Sequence, residues 1–370
     1  MKLLIISHVA HIKQSQKFYA YEPYVREMNL WLNHTNKVTV IAPLVESFKL
    51  NIEAAYRHDD LKLKKIPAIE FTFFKSAIYS LIKVPIIFVT IFNACKKVDH
   101  IHLRCPGNIG LLGCIVQIAF PSKSKSAKYA GNWDPKAKQP LSYRIQKWIL
   151  SNTFLTRNIQ VLVYGKWKNQ TKNIKPFFTA SFYKGEIKKV IPHNYNETLK
   201  FVFTGSLVSG KRPLLSIQII EALNKKGIKA NLHIFGDGVL MKSLKLYVQD
   251  NNLNDIIFIN GNQEMETVKE SLKDSHFSIL PSKSEGWPKA IAEAMFYGVI
   301  PVSTKVSCIE WMLDYGKRGI LIEPILEEAV QEIEYCLEKA NLNEMANAAQ
   351  KWSQQYTLDS LEKEIKKILQ

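Results

Sequence analysis

The 370-residue chain is poor in cysteine, with residues 95, 105, 114, 308 and 336 only and no Cys-x-x-Cys spacing. An odd count in mixed contexts argues against a disulfide framework and for reduced thiols in the cytoplasm. No His, Cys, Asp or Glu cluster has metal-ligand spacing, so no metal and no cofactor is expected. Helix-turn-helix, zinc-finger and RNA-recognition motifs are missing and the basic residues are scattered, so nucleic acid is not an expected partner. Low-complexity tracts and short repeats are missing too. The N-terminal apolar run is about five residues, shorter than a signal-peptide core, and reads as a buried first strand. Residues 66–95 are the one membrane candidate, yet Lys75 and Lys83 interrupt them. The longest uncharged run, Val84 to Cys95, falls short of the roughly twenty residues that span a bilayer. Aromatic residues with interspersed lysines fit a helix lying in a membrane interface, and fit equally a helix packed on a sheet.

Carboxylates are scarce in one half only. Residues 1–200 hold 31 Lys+Arg against 11 Asp+Glu, a balance of +20, whereas residues 201–370 hold 19 against 22, a balance of −3. The first half therefore suits an anionic surface such as a membrane, or is simply a solvated basic face. The length and the 46% hydrophobic content suit two globular domains.

Apolar runs alternate with amphipathic stretches along the whole chain. In the first half, strands are expected at 3–6, 38–42, 100–103, 127–130 and 160–164, with helices near 19–33, 74–95, 108–119 and 141–152. In the second half, strands are expected at 200–204, 230–235, 256–259, 276–280, 300–303 and 319–322. Helices are expected there at 213–226, 239–250, 265–273, 288–297, 325–339 and 343–355. This rhythm predicts an α/β protein of two doubly wound, Rossmann-like domains facing across a cleft. The expected domains are 1–195 and 196–357, joined within the polar, proline-containing stretch 190–199. A last helix, 358–370, is expected to pack back on the first domain.

Chemistry concentrates in residues 281–304, read as strand, loop, helix, Gly-Val-Ile-Pro turn and strand. Glu285 lies in the loop and Glu293 about a turn and a half into the helix. Pro288 suits the first helical position, and the free N–H groups of that helix start make a ready anion site. A second loop, Thr204-Gly205-Ser206-Leu207-Val208-Ser209-Gly210-Lys211-Arg212-Pro213, carries glycine and two cations into a helix. It has the parts to hold a diphosphate, with Lys211 as a point charge and Arg212 as a fork. It is not a Walker loop, because Arg212 follows the lysine. A surface turn explains it as well. Gly236-Asp237-Gly238 and Asn260-Gly261-Asn262 each follow a strand, as turns or as ligand contacts.

In this order, the four landmarks resemble the retaining glycosyltransferases of family 4, which have the GT-B fold. The resemblance covers residues 199–325 well and the first domain more loosely. Glu285 and Glu293 match that family's E-x7-E motif, and Gly298-Val299-Ile300-Pro301-Val302 its closing turn. The resemblance implies a nucleotide-sugar donor in the second domain and a glycan or lipid-linked glycan acceptor against the first, with no metal. It implies that Lys211 neutralises the departing diphosphate, that Glu285 binds the donor sugar, and that Glu293 binds the ribose. Backbone groups of Gly286, Trp287, Pro288, Lys289 and Ala290 would face the phosphates and sugar. Gly205, Ser206, Arg212, Gly236, Asp237 and Asn262 would complete the donor site.

Two departures from the family stand out. Ser206 occupies a position where arginine is common, and Arg104 replaces the second histidine of a His-x-His-x-Pro stretch (His102-Leu103-Arg104-Cys105-Pro106). A guanidinium is no general base at neutral pH, so Arg104 would instead bind a phosphate or an anionic acceptor. His8, His11, Asn132, Trp133 and Asp134 are acceptor-side candidates, with Trp133 as a stacking platform for a sugar. The expected function is transfer of a sugar with retention, in capsule, lipopolysaccharide or another surface polysaccharide. The expected place is the cytoplasm or the inner face of the cell membrane. Two alternatives stay open: a nucleotide-sugar epimerase of similar fold, and a catalytically silent nucleotide-sugar or glycan-binding subunit.

Overall fold

The computed structural model describes residues 1–46, 52–70, 74–188 and 192–370. They form two compact units. Met1–Phe178 and Ser360–Gln370 make the first, and Thr179–Asp359 the second.

The first unit opens with β1 (Lys2–Ile6), β2 (His11–Gln14), β3 (Lys17–Tyr21), α1 (Glu22–Leu32), β4 (Lys37–Val45), β5 (Glu53–Ala55), β6 (Leu61–Ile66) and α2 (Phe74–Cys95). It continues with β7 (His100–Cys105), α3 (Asn108–Val116), β8 (Ser124–Tyr129), α4 (Leu141–Ser151), β9 (Ile159–Tyr164) and β10 (Ile174–Phe177). Parallel pairing sets the order β10-β9-β8-β7-β1-β4-β6. β1 is covered on both faces, and Leu3, Leu4, Ile5 and Ile6 are all buried, which is why it reads as an unbroken apolar run. α2 sends Ile87, Ile91 and Ala94 into the core at helical spacing. The hairpin β2–β3 is absent from the sequence-based expectation. Its turn places Ser15 and Gln16 at φ 47° and 62°, the left-handed geometry of a two-residue hairpin loop, without the Asn-Gly or Asp-Gly pair that marks one. The helix expected from residue 19 consequently begins at Glu22, with Pro23 in its first turn.

The second unit holds β11 (Leu199–Thr204), α5 (Pro213–Lys225), β12 (Ala230–Phe235), α6 (Met241–Asp250), β13 (Ile257–Gly261), α7 (Met265–Asp274), β14 (Phe277–Leu280) and α8 (Lys289–Phe296). After these come β15 (Ile300–Thr304), α9 (Ile309–Met312), β16 (Ile320–Ile322), α10 (Leu326–Lys339) and α11 (Leu342–Ser353), followed by α12 (Leu358–Leu369), whose residues from Ser360 belong to the first unit. Its six strands are parallel in the order β13-β12-β11-β14-β15-β16. The chain runs outward from β11 to β13, then returns to β14 on β11's other side. The carboxyl ends of β11 and β14 therefore flank a topological switch point, where open α/β sheets bind ligands. β1 and β7 flank the corresponding point of the first unit.

The units meet at 178/179, earlier than the 195/196 read from the sequence. Phe182 packs on Phe296 and Tyr297, with ring centroids 4.7 and 5.3 Å apart, so the chain joins the second unit before the polar stretch begins. Of that expected linker, residues 190 and 191 lie outside the described residues, as do residues 71–73 of the membrane candidate. At the other end, Glu362 of α12 accepts a hydrogen bond from Asn33 at 2.9 Å and lies 3.2 Å from His34 Nε2, within the first unit.

Candidate active site

Three loops of the second unit are joined backbone to backbone at the carboxyl edge of its sheet. Gly205 donates its N–H to Phe235 (3.0 Å), Gly236 to Gly261 (2.8 Å) and Leu207 to Asp237 (2.9 Å). The approach is so close that a Cβ on Gly236 would lie 1.9 Å from the Gly205 carbonyl oxygen, and Gly236 has φ 139°. Glycine is therefore required there by both space and conformation. The side chains of Ser206, Asp237 and Asn262 remain exposed along this edge.

Across the switch point the β11 loop is tied to the β14 loop. Lys283 donates its backbone N–H to Gly210 (2.8 Å), and Arg212 donates from Nη1 to the Pro281 carbonyl (3.0 Å). Lys211 Nζ meets Glu285 Oε1 at 2.5 Å. Glu285 is buried and Lys211 partly open, so the carboxylate is fixed and the ammonium faces outward. Arg212 has left-handed backbone geometry, φ 49°, which turns the chain sharply into α5 beside Pro213. Its guanidinium thus already has a carbonyl partner, where the sequence suggests a phosphate fork.

Beyond Glu285, the Gly286 carbonyl accepts from Cys308 Sγ at 3.2 Å. Pro288 is the N-cap of α8, not its first helical residue, and the helix begins at Lys289. The N–H groups of Lys289 and Ala290 thus head the helix, next to the Glu285 loop. Glu293 lies one turn along and accepts a hydrogen bond from Ser181 Oγ. α11 braces the far end of α8, with Ser353 Oγ donating to Ala292 (2.6 Å) and Gln354 to Phe296 (3.1 Å). Trp287 is buried, with Trp352 at 6.0 Å and Tyr356 at 5.5 Å between ring centroids. Its ring anchors the loop to α11, and the contact expected of Trp287 is one of its backbone.

The first unit's expected residues scatter more. Arg104 is only 12% exposed and its guanidinium meets Glu27 at 2.8 Å. Lys128 Nζ meets the other Glu27 oxygen at 2.7 Å and is fully buried. Burial opposes the Arg104 charge, and Glu27 together with Tyr164 and Tyr24 more than offsets it, holding the guanidinium above its ordinary range. Arg104 is thus committed to an internal ion network and is not an open phosphate or acceptor ligand. The sequence reading misses Glu27 and Lys128. Their signal is a charge inside an apolar context, Glu27 beside Met28 on the inner face of α1 and Lys128 between Ala127 and Tyr129.

His11 is completely buried, stacked on Tyr56 and sharing hydrogen bonds with its hydroxyl (2.7 Å) and with the Val9 carbonyl (2.8 Å). Trp133 is 2% exposed, edge-on to Tyr129 and donating to Gln170 at 3.0 Å. Neither has a face to offer a sugar, so both leave the set of acceptor candidates. Asn132 and Asp134 shape a turn in which Asn132 Oδ1 accepts from the Asp134 N–H (2.9 Å) and Asp134 Oδ1 from the Lys136 N–H (2.8 Å). His8 follows β1 at the first unit's switch point and keeps an exposed edge, while its ring sits where a Gly107 Cβ would be, 2.7 Å from Nδ1. Burial and the Arg104 charge hold its pKa below the usual histidine range.

All five cysteines are free thiols. Among the described residues no group of three or more His, Cys, Asp or Glu could hold a metal ion.

Comparison with known proteins places this geometry. Residues 185–352 match the family described as "Glycosyl transferases group 1". An uncharacterized glycosyltransferase of Methanocaldococcus jannaschii is 27% identical, over 45% of this chain and 46% of its own length. The UDP-Gal:alpha-D-GlcNAc-diphosphoundecaprenol alpha-1,3-galactosyltransferase of Escherichia coli is 28% identical, over 40% of this chain and 38% of its own. The matched segments are thus less than half the length of these curated relatives, and the family match itself covers the β11–β16 unit. The apo structure of the lipopolysaccharide outer core galactosyltransferase WaaB superposes with a TM-score of 0.69 at 14% identity, covering 100% of this chain and 99% of that one. At that identity the likeness speaks to fold alone, and the fold is GT-B, an α/β protein with two parallel-sheet domains.

Proposed function

We propose that this GT-B chain is a retaining, metal-independent glycosyltransferase of surface-polysaccharide synthesis, such as that of capsule or lipopolysaccharide. It moves a sugar from a nucleotide-sugar donor to an acceptor hydroxyl. The observation that carries the reading is the Lys211–Glu285 pair at the β11/β14 switch point, beside the start of α8.

The donor diphosphate takes the Lys211 ammonium and the N–H groups of Lys289 and Ala290. Its arrival frees Glu285 from the ion pair to accept hydrogen bonds from the sugar, and Glu293 turns from Ser181 to the ribose. Ser206, Asp237 and Asn262 line the same edge. As the bond from the anomeric carbon to the diphosphate oxygen breaks, negative charge grows on that oxygen, where the fixed cation and dipoles act most strongly. The acceptor oxygen forms the new bond to the anomeric carbon, and its proton leaves with the diphosphate. The nearby carboxylate favours the oxocarbenium-like centre. No metal is required by this arrangement, because the leaving group already meets a cation and a helix start.

The acceptor is placed on the first unit, near His8 and the Asn132–Asp134 turn. A lipid-linked glycan acceptor and a cytoplasmic, membrane-peripheral location fit the basic charge of that unit and the diphosphoundecaprenol acceptor in the Escherichia coli relative's name. The test is to incubate the protein with a panel of nucleotide sugars and measure nucleoside diphosphate release with and without lipid-linked acceptors. Release that depends on Glu285 supports the reading. Interconversion of the donor sugar without release would favour an epimerase, and binding without turnover a silent subunit.

A further inference from the structure

Three successive helices of the first unit, α2, α3 and α4, connect β6 to β7, β7 to β8 and β8 to β9. Each crossover steps in the same direction across the parallel sheet, so all three helices lie on one face of it. α3 is buried in the middle and touches both neighbours. The outward sides of the flanking helices are apolar. α2 exposes Ile78, Leu81, Ile82, Ile86 and Val89, with Ile82 71% open, and α4 exposes Leu141, Ile145 and Trp148, with Trp148 62% open. In each helix these residues recur at spacings of three and four, so they form stripes. Water-facing helices of a soluble domain carry polar residues on that side, and a patch of this extent calls for a covering surface.

The charge pattern says what covers it. None of the three helices contains a single carboxylate, while α2 and α4 contain Lys75, Lys83, Arg144 and Lys147. Across residues 66–157 there are 13 Lys+Arg against Glu70, Asp99 and Asp134. Exposed Lys83, Lys96, Lys97 and Arg144 rim the apolar stripes. Residues 78–95 have a mean hydropathy of 1.8 and are long enough to cross a bilayer. However, Ile87, Ile91, Ala94 and Cys95 are packed into the protein core, and a spanning helix would have to give up that packing. A helix held to the protein on one side and apolar on the other lies in the plane of the membrane.

We infer that the α2–α4 face is a membrane-docking surface that inserts Ile82, Ile86 and Trp148 among the acyl chains of an anionic bilayer, with the surrounding lysines and arginines on the headgroups. The inference gives residues to the membrane-peripheral location proposed above, and it stands independently of the transfer chemistry.

The test is co-sedimentation of the full chain with phosphatidylglycerol-containing vesicles and with pure phosphatidylcholine vesicles. The account predicts partition onto the anionic vesicles at low salt, weakened at about 0.5 M salt. It predicts a loss of at least about tenfold in the Ile82→Glu and Trp148→Glu variants. Thermal shift by a nucleoside diphosphate, read on the same samples, separates a docking failure from a failure of the donor site. Quenching of tryptophan fluorescence by brominated phosphatidylglycerol, diminished in Trp148→Phe, checks insertion without relying on either glutamate variant. No binding to anionic vesicles, equal binding to neutral ones, or a dimer broken by Ile82→Glu in a protein that ignores vesicles would each overturn the proposal.

Discussion

At the scale of single residues, the proposed donor site is built on a cation and a carboxylate, Lys211 and Glu285, that pair with each other. In the proposed site, Lys211→Ala removes a charge-assisted contact to the diphosphate. It is expected to weaken nucleoside diphosphate binding about ten- to hundredfold, measured by calorimetric titration. Glu285→Ala leaves the fold intact and is expected to lower turnover by about a hundredfold or more, read as nucleoside diphosphate release. His8, an exposed histidine on the first unit, separates the two proposed substrates. His8→Ala should lower kcat/KM for the acceptor while leaving nucleoside diphosphate affinity unchanged, and equal losses in both would place it elsewhere in the account. The meeting of Lys211 and Glu285 was legible in the sequence, because each lies in a loop after a strand that flanks the switch point, and Glu293 was singled out by its spacing from Glu285. The internal roles of Arg104, His11 and Trp133 were not, because their partners Glu27, Tyr56 and Gln170 lie 77, 45 and 37 residues away.

At the scale of elements, the second unit was read closely, since each strand there is a short apolar run and each helix an amphipathic one. β12 was expected at 230–235 and is found there, and α2 was read as 74–95 and is found there. What stayed hidden is non-local or turn-driven. β2 and β3 depend on a left-handed turn at Ser15 and Gln16, and β6, with three lysines in six residues, is a strand because it pairs with β4. The three glycine-bearing loops of the site act as one element. Gly236→Ala should force the Gly205 and Gly236 backbones apart. The expected cost is about 3 kcal/mol or more, seen as a lower melting temperature with nucleoside diphosphate affinity reduced as well. A variant that melts normally would show that the loops are not so tightly joined.

At the scale of the whole molecule, charge is divided as sharply as structure. The first unit holds 30 Lys+Arg against 11 Asp+Glu, a balance of +19, and the second 20 against 22, a balance of −2. The sequence displayed this asymmetry but not the apolar plane beside it, because exposure of Ile82 or Trp148 is decided by what fails to pack on them. The first unit also buries neutral histidines. Burial depresses both His11 and His100 to about 4. Their unfolded forms take up protons from about pH 6.5 downward, so the folded state is fully favoured above that value. That stability is lost as pH falls through the window from 6.5 to about 4, at roughly 3 kcal/mol for each residue. Urea melts across this window should show stability falling with acid, with a shallower slope in His100→Gln. A flat profile would contradict the buried, neutral assignment.

The most direct test of the central claim is a crystal structure of the protein with a nucleoside diphosphate. The account predicts the terminal phosphate within hydrogen-bond distance of Lys211 Nζ and the N–H groups of Lys289 and Ala290, the ribose on Glu293, and Glu285 released from Lys211. A diphosphate bound away from the β11/β14 edge, with the Lys211–Glu285 pair intact, would contradict it.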